Sequence, residues 1–420
     1  VKLIVATYKL SRAGGSETYA VTIAEHLARL GHSVTLYARE LGDMAELARE
    51  RALHVCATAE ELPSEADGVI AGVDRSLALE LVARYPKATR LFVVHSSEDV
   101  YLPPPVPNAF AATIVLNDLH AARAAACPCT GEVVRLRQPV DLKRFDPRGR
   151  VGERPARVLL LGNYHSRPDE RAGMLRQAWA GAGLTWREAG GAKQALDIPS
   201  EIAQVDVVVG FGRSALEAMA CGRLAYIHDQ AGSEGWVTPQ SYSRIEAGGF
   251  AVAGVRLPPD IQQLRADLDA YQAEWGLAGR DIVRVHHDAR DHAAALVSLL
   301  ERLAPGRPCA EPSTLRALQQ LAESQLRSEL MAEYYRTEAK QLFALHHGSL
   351  DEIGHERLAW QAERESWATE RATWGAEREH WETQRGARET DRDAWETARS
   401  RLEEERDSGT RQGIQAQERL

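Results

Sequence analysis

Short continuous apolar runs alternate with stretches whose apolar residues return every three or four positions through most of the first 300 residues. The runs are rich in Val, Ile and Leu and show no period of two, which fits parallel strands covered on both faces. Residues 2–7, 33–37, 67–73, 90–95, 111–116 and 132–136 read as strands, with a helix over 16–30 stopped by Gly31. The proline-rich span 102–107 is a loop, and Asp146-Pro147-Arg148-Gly149 punctuates the end of this series. A second alternation restarts with a strand at 157–162. It continues through a helix over 169–182, a strand near 205–210, a helix from 214 and a strand at 224–228. Helices over 259–275 and 278–303 close it. Strand-helix alternation of this kind predicts an α/β fold of two tandem, doubly wound units, residues 1–150 and 151–304.

After Pro305-Gly306-Arg307-Pro308 the pattern changes. A helical stretch over 313–346 leads into a seven-residue repeat. Arginine recurs at 357, 364, 371, 378, 385, 392, 399 and 406, and tryptophan at 360, 367, 374, 381 and 395. Ile353 and Leu402 are in phase with the tryptophans and Arg388 is the exception. A strict period of seven keeps one face in register, so the span 305–420 is expected to be an α-helical coiled-coil tail. Its seam fills a single apolar position per heptad, and Gly375 and Gly386 each weaken the helix by about 1 kcal/mol relative to Ala. A solitary helix laced by charge pairs would leave the tryptophan stripe in water, so region 350–406 is expected to meet a second copy or another protein.

A length of 420 residues exceeds what one core serves, which agrees with more than one unit. The formal net charge of −9 gives no overall footprint for nucleic acid or an anionic membrane. Five cysteines without C-x-x-C spacing point to free thiols in a reducing cytosol, and Cys127-Pro128-Cys129 is too isolated for a zinc site. With neither a long apolar span nor a leader-like start, the expected location is cytoplasmic. Val1 suggests a GTG start codon or a trimmed chain, and the Ala and Arg content a bacterial gene.

In doubly wound folds ligands bind just beyond the carboxyl ends of strands, so post-strand residues carry the chemistry. The segment V-D-V-V-V-G-F-G-R-S-A-L-E-A-M-A-C-G, residues 205–222, reads as a buried strand, a glycine turn and a helix start. Gly210 and Gly212 permit the turn, and the amides around Gly212, Arg213 and Ser214 offer an anion site. Ser214 and Glu217 also match a capping box, so the segment is either an anion site or a capped helix. In the first unit Gly14 and Gly15 allow close ligand approach, with Ser16 as the expected N-cap. His95 ends a strand facing the cleft, where it could hydrogen-bond a sugar hydroxyl or move a proton. Asn117 is expected to cap a helix. Asn163, Tyr164, His165, Ser166, Arg167 and, further on, Arg171 would neutralise a leaving diphosphate.

The G-G-S-E loop, the stretch V-R-L-R-Q-P-V-D-L-K-R-F-D-P and the segment G-F-G-R-S-A-L-E-A-M-A-C-G resemble retaining sugar-nucleotide glycosyltransferases of the GT-B fold. The nearer likeness is to the bacterial branch with glycogen-synthase-like and mannosyltransferase-like enzymes, and it spans about the first 300 residues. The resemblance implies two Rossmann-like domains, the first for acceptor and the second for donor, and transfer of a hexose from a nucleotide-diphosphate sugar to a hydroxyl acceptor with retention. It implies a ribose grip at Glu217, donor contacts from Gly14, Gly15, Arg167, Arg171, Gly212, Arg213 and Ser214, and a donor-sugar contact, the catalytic candidate, at His95. The donor is the only small molecule implied, with no metal and no further cofactor, and cell-surface glycan assembly is the expected setting. The family pattern has a second glutamate where this chain has Val209, and the segment 229–236 could supply sugar contacts instead. Two other readings stay open: a catalytically weakened scaffold that delivers the tail, and a sugar-nucleotide epimerase.

Overall fold

The computed structural model describes residues 1–127, 131–147, 149–162, 170–190, 197–229, 232–252 and 261–346, with scattered positions between 364 and 403. The chain forms two compact units, Val1–Met331 and Ala332–Leu420.

The first unit holds two main sheets. One has seven parallel strands: β1 (Lys2–Ala6), β3 (Ser33–Tyr37), β5 (His54–Cys56), β6 (Gly68–Gly72), β7 (Thr89–Val94), β8 (Ala112–Val115) and β9 (Glu132–Arg135). Their order is β5-β3-β1-β6-β7-β8-β9, and a small parallel pair, β2 (Lys9–Leu10) with β4 (Glu40–Leu41), lies apart. The other sheet runs β11-β10-β12-β13-β14, from β10 (Arg157–Leu161), β11 (Thr185–Ala189), β12 (Val207–Gly210), β13 (Leu224–Asp229) and β14 (Gly232–Trp236). Only β14 is antiparallel among these. Strand order reverses between β1 and β6 in the first sheet and between β10 and β12 in the second, the positions at which doubly wound folds take their ligands.

Continuous apolar strands arise because both faces are covered. Leu3 and Val5 of β1 point into one core with α1 (Gly15–Arg29) and α2 (Asp43–Glu50), while Ile4 and Ala6 point into another with α3 (Arg75–Arg84). Asp74 caps α3 by accepting from the Ser76 amide, and Asn117 caps α4 (Asp118–Ala126) by accepting from that of His120, as expected. In the second sheet Val208 packs with α7 (Arg213–Ala220) and α8 (Tyr242–Ala247). Val207 and Val209 pack on the other face with α5 (Glu170–Trp179) and α9 (Ile261–Asp269), around the fully buried Trp179, whose indole donates to the Leu264 carbonyl.

The helix expected over 278–303 is divided into α10 (Glu274–His286) and α11 (Ala289–Arg302). Val283 of α10 lies in the second sheet's core, but Ala293, Leu296 and Leu299 of α11 lie in the first. Conversely Val140 and Phe145, expected to end the first unit, belong to the second sheet's core. The chain thus crosses between the sheets twice. The two crossings run side by side, with the Val140 amide donating to the His287 carbonyl at 2.8 Å and the Ala289 amide to the Val140 carbonyl at 3.0 Å. His287 interrupts the helical pattern because its main chain serves the other crossing.

A long helix, α12 (Pro312–His346), starts on the first sheet, with Leu315 buried there. The span before it is fixed by Arg90, buried in β7, whose five N–H groups donate to the carbonyls of Ala109, Tyr85, Pro86, Asn108 and Arg307. That set satisfies a guanidinium completely. Arg90→Met is therefore expected to cost about 3 kcal/mol or more, since it strands several buried carbonyls at once, and a urea titration checks this. A stability within error of wild type would show that water replaces the guanidinium.

In the unit Ala332–Leu420 the described residues are helical. Trp367 and Trp374 are exposed, and Arg378 pairs with Glu382 and Arg399 with Glu403 in i,i+4 spacing. The remaining heptad tryptophans lie outside the described residues.

Candidate active site

The first crevice opens where β1, β6 and β7 end against α1. Thr7, Ser16, Tyr19, Gly72, Val73 and His95 line a small concavity there. Gly14, rather than the expected Ser16, is the N-cap of α1. Ser16 turns its hydroxyl to the Glu17 carboxylate at 3.0 Å. Glu17 folds back over the helix start, and a side chain on Gly14 would meet its Oε2 at 2.3 Å, so the carboxylate would have to swing aside to admit one. Gly15 begins the helix and is exposed. Val73 has φ 70°, and the Asp74 amide donates to the Gly72 carbonyl at 2.8 Å. A β-branched residue held there stores roughly 1–3 kcal/mol of strain, kept by the Asp74 cap on α3.

His95 keeps partial exposure at the crevice while its ring meets that of Tyr19 edge-on, centroids 4.7 Å apart. Burial, with His120, His292 and Arg213 nearby, lowers its pKa to about 3. His95 is consequently a neutral imidazole at physiological pH. It can exchange hydrogen bonds with a sugar hydroxyl but does not bring a proton of its own.

The second reversal of strand order lies between β10 and β12. Gly212, φ 57° and ψ −123°, makes the turn that only glycine tolerates and is the N-cap of α7. The expected capping box is absent: Ser214 makes no cap hydrogen bond. Glu217 turns instead to Arg213, accepting from its Nε at 2.8 Å. A guanidinium one turn earlier outcompetes a backbone amide for a carboxylate. Arg213 Nη1 also donates to the Pro139 carbonyl at 2.9 Å, and Nη2 is buried without a protein partner among the described residues. Burial raises the Glu217 pKa and lowers that of Arg213, each against the pull of its partner.

The two reversal points meet. Arg213 lies within electrostatic reach of His95, and elsewhere across the cleft Arg135 pairs with Glu246 of α8 at 2.7 Å. His95, Arg213 and Glu217 are thereby gathered at the junction of the two sheets, with Gly212 at the turn and Ser214 half-buried beside them. Asn163, Tyr164, His165, Ser166 and Arg167 lie outside the described residues, and so does the side chain of Arg171. Val209 is fully buried, paired with Leu160 and Tyr226. Within the segment 229–236 Asp229 accepts from the Val252 amide at 2.7 Å and the Ser233 hydroxyl pairs with His228, so these two side chains are engaged locally. Among the described residues no group of His, Cys, Asp or Glu could hold a metal ion, no helix is long and apolar enough to cross a membrane, and Cys56 and Cys309 are free thiols.

Sequence reading did not find Glu17, Tyr19, Thr7, His120 or His292. Glu17 stood within the G-G-S-E loop and could have been flagged as a carboxylate in a first helical turn. His292 has no local signal, because only the return crossing brings it to the site.

No protein-family model matches the chain, and no curated protein matches it. Among solved structures, Anabaena Alr3699/HepE in complex with UDP and glucose is similar with a TM-score of 0.50 and 14% identity, over 72% of this chain and 99% of that one. The fold is of the GT-B type. A glycosyltransferase from Rickettsia africae ESF-5 aligns with a TM-score of 0.49 and 14% identity, over 71% of this chain and 97% of that one.

Proposed function

We propose that this chain is a glycosyltransferase that moves a hexose from a nucleoside-diphosphate sugar to a hydroxyl acceptor in the cleft between two Rossmann-like domains, with retention of configuration. The observation that carries the reading is the Arg213–Glu217 pair at the start of α7, buried beside His95. The unsatisfied Arg213 Nη2 and the amides at the helix start suit the departing diphosphate. Glu217 accepts a ribose hydroxyl, and neutral His95 contacts the transferred sugar. Gly14 and Gly15 give the donor close access to the start of α1, Ser214 adds a hydroxyl, and Arg167 and Arg171 complete the positive charge around the diphosphate. The first domain takes the acceptor and the second the donor; that the donor is a nucleoside-diphosphate sugar is supported by the UDP and glucose bound in the Anabaena structure. The tail associates with a second copy or a partner protein through its tryptophan face, a reading supported by the exposure of Trp367 and Trp374. The chain works in the cytoplasm on bacterial cell-surface glycans.

The test is a panel of nucleotide sugars with acceptor glycans, lipids and peptides, combined with nucleotide binding. Glu217→Gln is expected to weaken UDP or GDP binding about 10-fold or more, the scale of one charge-assisted hydrogen bond. A wild-type chain that binds no nucleoside diphosphate would sink the proposal. The scaffold reading gains from Val209, because a glutamate there would point into the apolar cluster of Trp179 and Tyr226. Tight nucleotide binding without turnover would select that reading.

A further inference from the structure

Two histidines on the returning crossing grip the outgoing one. His287 Nδ1 lies 2.7 Å from the Gln138 carbonyl, and His292 Nδ1 lies 2.9 Å from that of Arg137. A carbonyl only accepts, so both rings carry their proton on Nδ1 and present a lone pair at Nε2. Each lone pair receives a tyrosine hydroxyl at 2.9 Å: Tyr242 of α8 donates to His287, and Tyr19 of α1 to His292. Consecutive carbonyls are therefore clamped by two arms, one anchored to each sheet's helices. The arms differ in one respect. Tyr242 stacks on His286 and touches Phe250, whereas Tyr19 packs its ring edge-on to His95. His292 is buried, and its ring centroid lies 5.5 Å from that of Tyr19.

We propose that His292 is a positioning residue of the cleft: it holds Tyr19 against His95 while gripping the Arg137 carbonyl, so that the His95 ring and the crossing between the sheets are set together. The inference rests on the glycosyl-transfer reading for its consequence in turnover and on the hydrogen bonds alone for its geometry. Four full-length variants separate the two arms. Tyr19→Phe removes the Tyr19–His292 bond and keeps the ring. His292→Asn keeps a donor for Arg137 and loses Tyr19, while His292→Gln reaches Tyr19 with its amide oxygen. Tyr242→Phe removes the matching bond on the arm that does not touch His95.

Tyr19→Phe and His292→Asn are expected to lower kcat about 10-fold, with KM for the nucleotide sugar within about twofold of wild type. His292→Gln is expected to recover most of the loss, and Tyr242→Phe to stay near wild type. Equal losses in Tyr19→Phe and Tyr242→Phe would reduce the arm to general hinge stability and overturn the proposal. The His95 titration, followed by NMR, is independent of turnover. It is expected to climb from about 3 in Tyr19→Phe, where the ring loses its fixed packing and gains water, and to stay put in Tyr242→Phe. An unmoved His95 in all four variants overturns the proposal as well. Should His95 shift as expected in a chain that transfers no hexose, the positioning role stands and the glycosyl-transfer reading falls.

Discussion

Removing either member of the buried Arg213–Glu217 pair is expected to destabilise the protein by about 3–5 kcal/mol, while removing both leaves it nearly as stable as wild type. Arg213→Met strands a carboxylate and Glu217→Leu strands a guanidinium, each in a place where side-chain exposure is only 8% and 9%. The double variant leaves neither charge behind. Burial already works against both ionised forms, raising Glu217 and lowering Arg213, so the pair contributes little net stability as a pair. Its retention in so costly a place is what a diphosphate site would require. Chemical denaturation of the two single variants and the double, with nucleotide binding measured on the double, tests both halves of the argument. A double variant that is stable and still binds nucleotide would remove the pair from the site.

Acidification between pH 7 and pH 5 is expected to cost more stability than any ordinary surface mutation. His95 is lowered to about 3, and His120, His287 and His292 to about 4, all chiefly by burial. Each stays neutral in the folded chain while its unfolded counterpart takes up a proton near pH 6.5. The unfolded state then binds more protons, so stability falls as pH drops through 6.5 and continues to fall until the folded values are reached near 4. Asp74 and Glu217 oppose this, because their pKa values are raised on folding and they gain stability as pH falls. Asp141 and Asp206 are lowered, and their loss begins only below about pH 4. Four histidines set a ceiling of about 5 kcal/mol per pH unit, which protonation of the two carboxyls lowers, and even half of it is a large share of a typical 5–15 kcal/mol. Urea midpoints at pH 7 and pH 5 measure it, and His287→Asn should flatten the slope by one proton. Equal midpoints would mean that these imidazoles are protonated in the folded state.

Much of the fold could be read from the chain because parallel strands buried on both faces announce themselves as apolar runs. The runs at 33–37 and 157–162 correspond to β3 and β10 almost residue for residue. Strands β5 and β11 escaped notice, since His54-Val55-Cys56 is too short and Thr185-Trp186-Arg187-Glu188-Ala189, at a sheet edge, carries polar residues. The site was legible in part. Gly212 and Glu217 were picked out by their place after a strand, and both stand at the junction of the sheets. The partner of Glu217 was misread, because the capping-box spacing of Ser214 and Glu217 also allows an Arg213–Glu217 contact at i,i+4 and burial favours the latter. The division of the chain at residue 304 missed α11, whose amphipathic pattern shows that one face is buried but not which sheet buries it.

That helix bears on how the protein is made. Ala293, Leu296 and Leu299 complete a core whose other members begin at Leu3, and Arg90 receives the Arg307 carbonyl still later in the chain. During synthesis the amino-terminal sheet therefore emerges with part of one face unroofed until some 300 residues have left the ribosome, long after its own strands are available to pair. A nascent chain halted just before Ala289 should bind hydrophobic probes and chaperones, and one extended past Arg307 should release them.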